Sequence, residues 1–130
     1  MHILQPPGWI TPKGYSNGIA ATGRTICVSG TIGWDAQGRF HTSDFAGQTR
    51  QALQNIVAVL AEAEAGPEHI VRMTWYVLDK KEYVAAYKEI GIAYREVIGR
   101  HYPTMTAVQV AGLIEDQARL EIEVTAIVPV

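Results

Sequence analysis

The chain has 130 residues, a formal net charge of −2 and a pI near 6.0. Hydrophobic residues make up 48% and charged residues 18%, the balance of a folded domain and not of a disordered segment. One domain is expected at this length, burying about two-thirds of its unfolded surface, and the lack of a basic field argues against general nucleic-acid binding.

Residues 1–18 are rich in Pro and Gly and read as an extended lead-in. Met1–Pro7 lacks the basic start and long apolar stretch of a signal peptide, and no run approaches the ~20 apolar residues that span a membrane. A cytoplasmic chain is expected. The single cysteine, Cys27, suits a reducing compartment and, within an apolar run, is expected to be buried and inert. Ile19–Ala21 and Thr25–Ser29 flank Thr22-Gly23-Arg24, which reads as a hairpin. Thr42 or Ser43 can cap a helix running to about Ala65. In it Thr49, Leu53, Ile56, Leu60 and Ala63 recur at alternating four- and three-residue steps, one helical face. Gly66-Pro67 stops it.

Val71–Leu78 reads as a strand apolar on both faces. Tyr83, Tyr87, Ile90, Tyr94 and Val97 mark a second helix over about Lys81–Ile98, ended by Gly99. Thr106–Val110 and Arg119–Ile127 are the last strands. In the latter, Leu120, Ile122, Val124 and Ala126 share one face, and Glu121, Glu123, Thr125 and Ile127 share the other. The predicted order is therefore β-β-α-β-α-β-β, an α+β fold with both helices on one sheet face. The other face, carrying Trp75 or Tyr76 and half of several strands, has no helix left to cover it. An apolar face of that kind predicts an oligomer built on it.

Several segments resemble one known family. Gln48–Ile56 is similar to its first-helix signature, Gly14-Tyr15-Ser16 and Val28-Ser29-Gly30 to its N-terminal turn and second strand, and Val71–Asp79 to its third strand. Tyr102-Pro103 through Val110, then Glu121-Ile122-Glu123, resemble its closing strands. The chain resembles the Rid proteins (reactive intermediate deaminases, YjgF-type, also called endoribonuclease L-PSP) from about Tyr15 to Ile127. The resemblance implies a chorismate-mutase-like fold and a homotrimer whose sheets form a central barrel with three clefts between subunits. In deaminating members an arginine grips the carboxylate of a small enamine or imine. A glutamate positions or activates water, and no metal or organic cofactor is needed.

Carried over, the tyrosine falls on Tyr15, the serine-glycine on Ser29 and Gly30, and the glutamate on Glu121. The arginine position falls on Met105. The glutamine after Ser-Gly is Thr31, and the helix-two asparagine is Gly91. Arginine offers a carboxylate a fixed fork of donors, and methionine only a flexible thioether. Glu121 is the catalytic candidate; its alternative is a carboxylate bonded at the trimer seam, the role expected of Glu123. Tyr15 could close a cleft or simply pack. Ser29 and Gly30 could offer backbone donors and a small wall, or merely end a strand. Met105 could line an apolar pocket or fill a gap. Arg24, Arg39 or Arg119 of a neighbouring copy could supply a cation instead. Trp34 and Trp75 are pocket aromatics or core. The four histidines lack metal-ligand spacing.

Three functions compete. One is an imine or enamine deaminase with altered substrate preference. Another is a non-catalytic small-molecule-binding or regulatory trimer. Ribonuclease activity is the third, disfavoured by the acidic pI and the lack of a basic aromatic stripe.

Overall fold

A computed structural model describes residues 1–130. Strand β1 (His2–Leu4) pairs antiparallel with β2 (Gly18–Ala20), so Ile19 lies opposite Ile3. The expected hairpin across Gly23 does not form: β2 turns back onto the lead-in, which thereby gains a strand. Strand β3 (Arg24–Thr31) belongs to the main sheet. Helix α1 (Phe45–Glu62) follows, then a 3₁₀ turn (Pro67–His69) and β4 (Ile70–Val77). Next come α2 (Lys80–Ala85), α3 (Tyr87–Val97), β5 (Thr104–Gln109) and β6 (Leu120–Val128). The main sheet has the order β3-β6-β4-β5. Its pairs are antiparallel except β4–β5, which the α2–α3 crossover makes parallel.

Helix α1 starts one or two residues later than expected. Asp44, not Thr42 or Ser43, is its N-cap, accepting from the Gly47 N–H at 2.8 Å. Thr42 instead accepts from the Asp44 N–H, setting up the cap. The second expected helix is two helices. The chain breaks at Ala86, with φ −96° and ψ 7°. The tyrosine spacing hid that break because Tyr83 and Tyr87 still meet edge to face across it, 5.1 Å between ring centroids.

Both helical segments cover one sheet face. Leu53, Ile56 and Leu60 of α1 and Ile90 and Tyr94 of α3 join Met73, Trp75, Val77, Leu120, Ile122 and Val124 in one core. Tyr94 donates to the His101 carbonyl at 2.6 Å and stacks on Tyr102, which pins the approach to β5; burial pushes its phenol pKa up. The opposite face holds Thr25, Cys27, Arg72, Thr74, Tyr76, Thr106, Val108, Glu121, Glu123, Thr125 and Ile127, by strand alternation and register. It is rich in hydroxyls and not the apolar surface expected. Trp75 belongs to the core, leaving Tyr76 on the open face. Cys27 is exposed there, against expectation, because its neighbours Ile26 and Val28 are the ones turned inward.

Two buried or half-buried polar side chains of α1 shape the loops near β3. Gln48, wholly buried, donates to the carbonyls of Thr42 and Gln117 and accepts from the Arg119 N–H at 2.8 Å. Asn55 donates to the carbonyls of Ile32 and Trp34. Gly33 lies so close to the Gln48 backbone that a Cβ would overlap it. These contacts strap the end of β3 to the helix.

Candidate active site

The β3–β6 ladder loses step between Val28, opposite Val124, and Thr31, opposite Ile122. Two residues on β3, Ser29 and Gly30, stand against one on β6, Glu123, and so form a bulge. Bulges re-aim side chains and release backbone groups from pairing. Thr31 closes this one by donating its hydroxyl to the Ser29 carbonyl at 2.8 Å. By register Glu123 stands across from the bulge, but the side chain that reaches over it belongs to Glu121. Its carboxylate lies directly over Gly30, where any Cβ would overlap Oε2. A larger residue there would have to displace the carboxylate, which occupies the space its side chain would fill.

Glu121 is half-buried and engages no side-chain hydrogen bond or ion pair within the chain. Glu123, two residues on and on the same face, is exposed and accepts from the Tyr76 hydroxyl at 2.6 Å. That bond, ahead of any other influence, holds the Tyr76 phenol above its ordinary pKa. Tyr76 lies opposite Glu121 in the β4–β6 register. Sequence reading leaves open whether Trp75 or Tyr76 lies on the uncovered face and gives Tyr76 no part in the site; the register shows that it flanks both carboxylates.

Tyr15 and Met105 lie elsewhere. The Ser16 N–H donates to the Pro103 carbonyl at 3.1 Å, its hydroxyl donates to the Tyr102 carbonyl at 2.6 Å, and Ser16 bridges Thr104. Tyr15, 43% exposed, is thus fastened beside the start of β5, where Met105 is the second residue of the strand. Met105 pairs with Met73 in the parallel ladder, so its side chain leaves the sheet on the helix-covered face and packs partly against the core. Glu121 leaves on the opposite face. The five residues singled out in the sequence therefore form two groups in one chain: Ser29, Gly30 and Glu121 at the bulge, and Tyr15 and Met105 at the β5 edge. Two surface depressions, one bounded by Phe40–Ser43 with Asp116, Gln117 and Arg119, the other by Ser43–Ala46 with α2 and its junction to α3, are lined by none of the five.

The cations near these groups are few. Arg119 is taken by Glu82, its Nε donating at 3.0 Å, and Arg24 donates to the Ala63 carbonyl. Arg72 reaches only the Thr125 hydroxyl, at 3.4 Å.

Residues 10–128 match the family model described as endoribonuclease L-PSP. The chain belongs to that family. Among endoribonuclease L-PSP relatives it is similar to human 2-iminobutanoate/2-iminopropanoate deaminase, at 31% identity over 93% of this chain and 83% of that protein. A solved Rid family protein of unknown function, YyfB from Yersinia pestis, superposes with a TM-score of 0.85 at 27% identity, over 98% of both chains. E. coli TdcF with bound serine superposes with a TM-score of 0.68 at 30% identity, again over 98% of both. The fold is thus that of the Rid structures. No helix of the chain is long and apolar enough to cross a membrane.

Proposed function

We propose that this chain is a Rid-type deaminase that hydrolyses a small enamine or imine to a carbonyl compound and ammonia. Its substrate preference is altered at Met105. The carrying observation is Glu121: a carboxylate seated over Gly30 at a strand bulge, with no partner of its own. In that position it can take a proton from water as the water adds to the C=N carbon, and return it to nitrogen as ammonia leaves. The bulge takes Ser29 and Gly30 out of the ladder, which suits them to face a bound imine or the oxygen developing on it. The name of the human relative supports the same chemistry. The net charge of −2 fits a small molecule better than RNA.

The two groups of site residues face away from each other in one chain. In this proposal they meet between copies: the bulge of one subunit faces the Tyr15–Met105 edge of the next, as in the homotrimer the resemblance implies. Met105, standing where the family arginine falls, gives that edge an apolar surface in place of a carboxylate clamp.

The test is ammonia release from a panel of freshly generated enamines and imines. Acceleration that disappears in Glu121→Ala is expected. No acceleration across the panel, or an undiminished rate in the variant, would sink the mechanism. Ligand-dependent rises in Tm without turnover would make the protein a binding trimer instead.

A further inference from the structure

The ionisable groups of the two half-sites are nearly all acidic. At the bulge stand Glu121, unpaired, and Glu123, whose only partner is the neutral phenol of Tyr76. Side chains two apart on one strand face are ~7 Å apart, close enough for both charges to act on one ligand. The other half offers Tyr15 and a thioether. Arg24 and Arg119 are engaged elsewhere, Arg72 is turned to Thr125, and Arg39 is exposed on the loop after β3, outside both groups. Lys13, two residues before Tyr15, is exposed and makes no polar contact, so its ammonium stays hydrated on a flexible stem. A substrate carboxylate would therefore meet like charge and no donor fork. A cation would meet two carboxylates, and its apolar substituents would meet methionine and tyrosine.

We infer that the substrate class is the carboxylate-free iminium: an imine formed by oxidation of an amine and protonated when bound, not an imine of an amino acid. The inference rests on the deaminase reading above and names which imines it takes. In the step, water oxygen bonds to the iminium carbon while Glu121 removes one water proton. The proton passes to nitrogen, giving a carbinolamine protonated on nitrogen. The C–N bond then breaks with its electron pair on nitrogen, the hydroxyl proton leaves, and the products are a ketone or aldehyde and ammonium. Atoms and charge balance without an oxidant or cofactor. The reaction that supplies such a substrate is the two-electron oxidation of a primary amine.

The test uses two imines that differ only in methyl against carboxylate. One is 1-phenylethan-1-imine, supplied as the free ketimine. The other is 2-imino-2-phenylacetate, generated from phenylglycine by an amino acid oxidase. Ammonia release is followed with the intact protein and with Met105→Arg. The carboxylate-free imine is expected to show a kcat/KM at least ~10-fold higher, with Met105→Arg reversing the order. Preference for the carboxylate-bearing imine, or equal rates, would overturn the inference while leaving the deaminase reading intact. Acceleration of neither would overturn both.

Discussion

The bulge and the β5 edge are built by opposite means. At the bulge, β3 breaks step with its neighbour, a glycine makes room, and a carboxylate is left without a partner. At the edge, Ser16 makes two hydrogen bonds to the approach to β5, and Met105 packs partly against the core. The first region gives up ladder pairing beneath an unpaired carboxylate. The second uses pairing to fix a wall. They sit on opposite faces of one sheet, so neither can serve the other within a chain. The pleat that separates Trp75 from Tyr76 is the same device on a smaller scale: adjacent residues, one in the core and one beside the carboxylates.

Four substitutions break or sharpen this contrast. The largest effect is expected from Glu121→Gln, which should lower kcat by ~10²–10⁴-fold while stability stays within ~0.5 kcal/mol, since the carboxylate makes no hydrogen bond or ion pair within the chain. Urea denaturation beside the ammonia assay checks both. Trp75→Ala, on the covered face, should cost ~3–5 kcal/mol, nearer the lower figure because its indole N–H has no acceptor in the core. Gly30→Ala should leave the fold standing but displace Glu121. A shift of about 1 Å can cost ~10²-fold in kcat, and a crystal structure of the variant would show the moved carboxylate. Tyr76→Phe should be mildest, ~0.5–1.5 kcal/mol for one exposed hydrogen bond. A Tm drop as large as that of Trp75→Ala would mean that the two sheet faces are not as different as described.

The parts of this arrangement that were legible in the sequence follow from periodicity. Helix α1 was readable because Leu53, Ile56 and Leu60 keep helical spacing. Strand β6 was readable because its apolar residues alternate with Glu121, Glu123 and Thr125. The same alternation signalled that the open face is polar, a signal outweighed by counting apolar residues strand by strand. What periodicity cannot carry was missed. The break at Ala86 has no Pro or Gly to mark it. The partner of β2 depends on where the lead-in folds back, and Thr22-Gly23-Arg24 looks like a turn whichever strand lies beyond it. Buried Gln48 gave only a polar residue next to an apolar helical stripe, and its three backbone partners lie on two loops, one of them about 70 residues further along the chain. Gly30 was legible only as a small wall or a strand end; the structure adds the Glu121 carboxylate above it. That Tyr15 and Met105 share one region and Glu121 another follows from strand register, which the sequence does not print.

The central claim, that each working site takes its bulge from one copy and its β5 edge from the next, has a direct test. With the carboxylate-free imine as substrate, Glu121→Ala disables the first half, and Met105→Arg should disable the second by placing a cation against the iminium. Each variant alone is expected to be inactive. Unfolding the two together and refolding them at equal ratio should restore about a quarter of wild-type ammonia release, because random mixing in a cyclic assembly brings two intact halves together at that fraction of interfaces. Mixed oligomers, verified by mass, that recover no activity would contradict a site shared between copies.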